Sequence, residues 1–138
     1  MTRVYVDMVG DLFHYGHVEM LRRARELGDE LVVGVLSDES VESYKRRPIM
    51  TLEERVRVVE ACRYADEVLV DVPLQASAEW LAEHRIDLVV HGDDFDEEAL
   101  AYWYGAAQAL GIFQTLPHTP AISTTALIER VLARELAG

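Results

Sequence analysis

Two histidines stand three residues apart in His14-Tyr15-Gly16-His17, where a helix is about to begin. At that spacing their imidazoles project toward one region. The first turn of a helix carries unpaired N–H groups and partial positive charge, so it favours phosphate. Imidazole donates to phosphate oxygen, and the bond strengthens as charge grows there during phosphoryl or nucleotidyl transfer. Gly16 lets the backbone approach a ligand closely. Two structural histidines are the bland reading of the same residues. Zinc is the least supported reading, because no cysteine or carboxylate set at ligand spacing accompanies them. Lys45-Arg46-Arg47 is the densest cationic run of the chain, and Pro48 stiffens the loop immediately after it. Taken alone it reads as a solvated basic loop. Ser123, Thr124 and Thr125 open a helix, where a hydroxyl caps the helix or binds phosphate. Asp11, Asp38 and Asp94 come after strands, a common place for a turn aspartate.

These side chains need a frame. Apolar runs at residues 4–6, 31–36, 68–70, 88–90 and 112–116 predict five strands. Between and after them, residues 18–27, 51–64, 77–84, 97–110 and 123–136 predict helices. Thr51 and Glu54 have capping-box spacing, and Gly28 and Gly111 are stops. The last helix carries Leu127, Ile128, Val131, Leu132 and Leu136 as an apolar stripe expected to be buried. Strands alternating with helices call for right-handed crossovers and a parallel sheet covered on both faces. The expectation is an α/β fold: one Rossmann-like domain over residues 1–138, its five parallel strands in the order 3-2-1-4-5. Ligands of such sheets bind beyond the carboxyl ends of the strands. Asp11, His14 and His17 come after the first strand, Ser37 and Asp38 after the second, residues 91–94 after the fourth and 118–125 after the fifth. The polar candidates therefore gather at the end the fold rule favours.

Composition narrows the class. The 138 residues hold 13 Lys and Arg against 25 Asp and Glu, a formal charge of −12, and half are hydrophobic. That hydrophobic share excludes disorder, and the acidic balance argues against nucleic acid as a partner. No apolar run approaches the roughly 20 residues of a membrane span, and no secretion signal is visible, so a soluble cytoplasmic protein with no membrane partner is expected. Cys62 is the only cysteine, which rules out an internal disulfide.

Residues 11–17, Asp11-Leu12-Phe13-His14-Tyr15-Gly16-His17, resemble the His-x-Gly-His signature of the cytidylyltransferases, enzymes that transfer CMP from CTP to a phosphorylated alcohol. Other stretches agree in order: Arg63-Tyr64-Ala65-Asp66-Glu67-Val68, residues 81–87, His91-Gly92-Asp93-Asp94 and Ile122-Ser123-Thr124-Thr125. The resemblance implies that His14 and His17 contact the CTP phosphates and that Lys45 bridges the nucleotide and acceptor phosphates as the third catalytic residue. It implies a nucleotide site of Val9, Gly10, Asp11, Gly16, Asp38, His91, Asp94, His118, Thr119, Ile122, Ser123 and Thr124. Arg55 and Arg63 join Lys45 as acceptor-binding residues; read without the family they are surface arginines near Glu53, Glu54 and Glu60. Mg²⁺ is expected with CTP, Asp11 approaching it, and two copies are expected to pair, with Arg63 in the dimer motif.

Three places depart from the family pattern. Met8-Val9-Gly10-Asp11 replaces Gly-x-Phe/Tyr-Asp, with Gly10 supplying the flexibility. His118 stands in place of a phosphate-binding arginine and Ala121 in place of a glycine. Leu74 stands where an aromatic ring is expected, so an aromatic cage for choline is not in view. Glycerol 3-phosphate, ethanolamine phosphate and a small phosphonate of the 2-hydroxyethylphosphonate type remain as acceptors. Tyr102, Trp103 and Tyr104 read as split between core and surface. An adenylyltransferase acting on a cofactor precursor and a nucleotide-binding regulator without catalysis are the alternatives.

Overall fold

The structure is a computed structural model and describes residues 1–119 and 122–137. Pro120 and Ala121, the latter one of the expected departures, lie outside the described residues. Strands β1 (Arg3–Met8), β2 (Glu30–Val35), β3 (Glu67–Val70), β4 (Leu88–Gly92) and β5 (Phe113–Leu116) form one parallel sheet in the order β3-β2-β1-β4-β5. Helices α1 (Tyr15–Arg25), α2 (Asp38–Glu42), α3 (Leu52–Glu60), α4 (Ala78–Glu83), α5 (Glu97–Ala109) and α6 (Thr124–Ala137) connect and extend them. The fold class and strand order are those expected. Among the described residues, no helix is long and apolar enough to cross a membrane.

Strand periodicity sorts the core. Val4 and Val6 of β1 face α1 and α3, packing with Leu21, Ala24 and Val59. Tyr5 faces the other way, toward Leu81 of α4 and Tyr104 and Ala107 of α5, as a two-residue repeat requires. Val4 of β1 lies across from Leu31 of β2 and Leu88 of β4. The winding reverses between those two neighbours, so a crevice opens beyond the carboxyl end of β1.

Several boundaries differ from the sequence expectation. α1 begins at Tyr15, three residues earlier than the apolar pattern suggests, which makes His14 its cap. α2 was not expected: one turn, capped by Ser37 accepting from Ser40 N at 3.1 Å, is too short to show a period. β1 and β4 each extend two residues further toward the crevice than the apolar runs. α6 has no buried residue, and Val131, Leu132 and Leu136 of its expected stripe are exposed. It comes after the edge strand β5, where no crossover has to bring the chain back over the sheet.

Candidate active site

His14 ends its extended segment as the cap of α1, and its Nδ1 accepts from Gly16 N at 3.0 Å. His17, on the first turn, accepts from His14 N through its own Nδ1 at 3.1 Å. The two imidazoles thus form a reciprocal capping box, with centroids 4.0 Å apart, and Phe13 stacks on His17. A neutral imidazole that accepts at Nδ1 carries its proton at Nε2. The cap therefore fixes the tautomer of both rings and leaves two Nε2–H donors for a ligand. Burial, then neighbouring His14, with Lys45 adding and Asp11 opposing, pushes His17 down to about 4. Burial lowers His14 as well. Gly16 was expected to admit a ligand. Instead it admits the His14 ring: a Cβ there would sit 2.8 Å from His14 Cε1 and 3.2 Å from Ile122 Cγ2.

The turn before α1 is strained where it has to bend. Gly10 has φ +71° and Leu12 φ +49°, a region that leucine rarely occupies. Asp11 holds this turn. It is buried, its carboxylate oxygens accept from Ile49 N and Met50 N at 2.9 Å each, and its carbonyl accepts from Thr124 Oγ1 at 2.9 Å. Asp11 thereby ties the histidine turn to the loop carrying Lys45 and to the start of α6. Lys45 itself is exposed; burial of part of its surroundings lowers its pKa, while Asp11 and Asp94 pull it back up. The Asp11 bonds to Ile49 N and Met50 N hold the histidine turn and the start of α3 together beyond the carboxyl end of β1.

Several expected site residues have their side chains engaged within the protein or lie away from the crevice. Arg55 was expected at the acceptor phosphate but is 0% exposed. Its guanidinium donates to Val9 O at 2.8 Å, Leu36 O at 2.7 Å, Met50 O at 3.2 Å and Asp38 Oδ1 at 2.6 Å. It closes the carbonyls beyond β1 and β2. Asp38, expected at the nucleotide, spends its carboxylate on Arg55 and on Arg47, the latter at 3.2 Å. Thr124, expected at phosphate, has given its hydroxyl hydrogen to Asp11 O and presents only lone pairs. Arg63 is exposed at the far end of the sheet, since α3 begins at the crevice and runs down to the amino end of β3. Each Asp11 carboxylate oxygen spends one lone pair on a backbone N–H and keeps a second that would suit a Mg²⁺ carried by a triphosphate. Among the described residues no group of three His, Cys, Asp or Glu side chains could hold a metal.

Beyond β4 and β5, His118 faces Asp93: its Nδ1 lies 2.6 Å from Asp93 Oδ1, and its backbone N donates to the same oxygen at 3.1 Å. That hydrogen bond and charge raise the His118 pKa, so this ring keeps its cation more readily than free imidazole. Ser123 Oγ accepts from Ala126 N at 3.0 Å, which caps α6 and leaves the Ser123 O–H to donate. Thr119 lies half-buried between them. His91 was expected at the nucleotide; its Nδ1 faces Gly92 O at 3.0 Å, and its ring lies between Phe95 and Tyr104, at 4.6 and 5.0 Å.

His91 belongs to a cluster that sequence reasoning passed over. Asp7 of β1 accepts from Tyr104 Oη at 2.7 Å, and burial raises its pKa against the pull of that bond and of His91. Tyr5 Oη is buried without a hydrogen-bond partner. Gly34 makes room for it, since a Cβ there would collide with that hydroxyl. Tyr5, Asp7, Trp103 and Tyr104 line a cavity of about 10 Å³, space for one water-sized sphere. Tyr44, next to Lys45, rests on Trp103 with ring centroids 5.2 Å apart. The signal available in sequence was an aspartate inside an apolar strand; a buried carboxylate calls for a partner.

Known proteins share this arrangement of chain. A profile of cytidylyltransferase-like domains matches residues 10–130. Ethanolamine-phosphate cytidylyltransferase of Arabidopsis thaliana is 45% identical over 137 residues, covering 94% of this chain and 32% of the plant protein. Choline-phosphate cytidylyltransferase A of Homo sapiens is 39% identical over 134 residues, covering 95% and 36%. The chain thus spans about a third of the length of these curated relatives. A crystal structure of the lipopolysaccharide core biosynthesis protein from Thermoplasma volcanium matches with a TM-score of 0.69 and 27% identity, over 86% of this chain and 97% of that one. With most of its length inside the profile, the chain belongs to the cytidylyltransferase-like family.

Proposed function

We propose that this chain is a CTP-dependent cytidylyltransferase that joins CMP to the phosphate of ethanolamine phosphate and releases pyrophosphate. The observation that carries the reading is the reciprocal imidazole cap, which spends both Nδ1 atoms on backbone N–H groups and so leaves two Nε2–H donors for a ligand. An acceptor phosphate oxygen, already ionised at neutral pH, attacks the α-phosphorus in line. The new P–O bond forms as the bond to pyrophosphate breaks, so no protein nucleophile is needed. His14 and His17 donate to the phosphate oxygens on which charge grows. Lys45 lies between two anions and lowers their repulsion. His118, whose pKa Asp93 raises, and the Ser123 hydroxyl serve the far end of the triphosphate. Mg²⁺ travels on the triphosphate's own oxygens in this reading, and no step above depends on it.

The choice of acceptor rests on the Asp7 cluster. A primary ammonium is about the size of the cavity, carries the charge a buried carboxylate lacks, and has N–H groups for Tyr5 Oη. Glycerol 3-phosphate and 2-hydroxyethylphosphonate offer Asp7 no cation. We further propose that two copies pair through the segment containing Arg63, which is exposed and remote from its own crevice. Light scattering that reports a monomer at working concentration refutes the pairing. The main test measures pyrophosphate release with CTP or ATP against ethanolamine phosphate, choline phosphate, glycerol 3-phosphate and 2-hydroxyethylphosphonate. CTP with ethanolamine phosphate is expected to be fastest. Faster turnover with ATP identifies an adenylyltransferase, and nucleotide binding with no release for any acceptor identifies a regulator.

A further inference from the structure

We propose that Trp103, held by Tyr44, sets the size of the amine this site accepts, so that a primary ammonium enters and its N-methylated relatives are turned away. The inference rests on the reading of Asp7 as the ammonium's partner. On an unbroken helix each residue turns by about 100°, so Trp103 and Tyr104 would point in widely different directions. Here α5 breaks at Tyr104, with φ −125° and ψ 22°, and both rings line the Asp7 cavity. Tyr102, one residue earlier, is 63% exposed, and its carbonyl accepts from Gln75 Nε2 at 2.7 Å, which clamps the helix beside the break.

The walls of the cavity differ in what they can yield. Tyr5, Leu81 and Val89 are core residues with at most 2% exposure. Tyr104 is fixed by its bond to Asp7. Trp103 is only half-buried, and its outer side meets Tyr44, which is 40% exposed in the loop bearing Lys45. Each N-methyl group needs space that a cavity of about 10 Å³ does not have. In a close-packed interior that space has to come from the movable wall. Trp103 is that wall, and Tyr44 is the strut behind it. Because Tyr44 precedes Lys45, the fit of the amine and the placing of the cation over the acceptor phosphate are set by one short loop.

The test compares kcat/KM for ethanolamine phosphate, its N-methyl and N,N-dimethyl forms and choline phosphate, in the wild type, Trp103→Val and Tyr44→Ala. In the wild type, kcat/KM is expected to fall with each methyl group. Trp103→Val is expected to raise the ratio of choline phosphate to ethanolamine phosphate by at least about tenfold, the scale on which a pocket discriminates a methylene. Tyr44→Ala is expected to raise it by less. Tyr44 lies in an exposed loop, so that variant decides the matter if Trp103→Val fails to fold. A wild type indifferent to methylation, or variants that lose activity equally on all four acceptors, overturns the proposal while leaving ethanolamine phosphate as the substrate. A wild type that uses glycerol 3-phosphate and none of the four amines overturns the acceptor reading beneath it.

Discussion

Replacing Arg55 separates two accounts of the same arginine. A guanidinium that meets a phosphate shows its loss in KM; one that staples loops shows it in stability. In Arg55→Met most of the apolar stem is kept, while the donors to Val9 O, Leu36 O, Met50 O and Asp38 Oδ1 are lost. Three carbonyls beyond the strands then lose their donor, and Asp38 keeps only its 3.2 Å contact with the exposed Arg47. Each bond from a charged donor is worth about 1.5–3 kcal/mol. These bonds share one group and do not add, and breaking a buried pair by removing one partner costs about 3–5 kcal/mol in total. That is a large part of the roughly 5–15 kcal/mol that holds a domain together. Urea titration is expected to give a lower midpoint with an unchanged slope, and a thermal midpoint on the order of 10 °C lower. Arg55→Lys is expected to recover only a fraction, since an ammonium cannot reach carbonyls in a guanidinium's planar fork. A variant with the wild-type midpoint and a raised KM for acceptor or CTP would refute the staple and restore the arginine to the phosphate.

The geometry sets three further outcomes. His14→Asn and His17→Asn keep an acceptor where Nδ1 stood, so circular dichroism and thermal midpoints are expected to change little, while loss of an Nε2–H donor lowers kcat by about 10²–10³; near-normal turnover in both would remove the histidines from the chemistry. His17 titrates at about 4 in the folded protein against 6.5 ordinarily, so the unfolded chain takes up the proton first. Stability is therefore expected to fall as pH drops from about 6.5 to 4, by at most about 1.4 kcal/mol per pH unit, and His17→Asn should flatten that part of the urea-midpoint profile. His118 keeps its proton above the ordinary range because of Asp93; the KM for CTP is expected to rise as pH climbs through that raised value, and to begin rising at lower pH in Asp93→Asn, identical profiles counting against a role for the charge.

The alternation of elements was legible in the sequence because buried parallel strands are continuously apolar and the capping boxes and glycine stops are local signals. Thr51 and Glu54 form the reciprocal cap that their spacing predicts. What escaped depends on contacts between distant residues. Arg55 and Arg63 sit on one amphipathic segment with acidic neighbours, and nothing local tells that the first turns inward while the second ends at the opposite edge of the sheet. Asp38 reads as a turn residue until Arg55, 17 positions on, is seen to cover it. Tyr102, Trp103 and Tyr104 split between surface and core as read, while the break of α5 at Tyr104, just before Gly105, was not foreseen. The α6 stripe shows the converse failure. Apolar periodicity predicts a helix correctly and says nothing about whether a partner surface exists.

For an acidic chain of net charge −12, receiving a polyanion as proposed takes local donors rather than overall attraction. Burial favours the neutral form of both imidazoles, and in His17 the neighbouring His14 adds to it. Neutral donors fixed by backbone hydrogen bonds stabilise charge that grows on the phosphates without holding the departing pyrophosphate as a full cation would. The cations are placed separately: Lys45 on an exposed loop, His118 on a titratable pair with Asp93. Asp11 joins the loop of Lys45 to the histidine turn and, through Thr124, to α6. A ligand that moves one of these three segments therefore loads the other two, so in the proposed reaction a single buried carboxylate would bring the nucleotide's donors and the acceptor's cation into register.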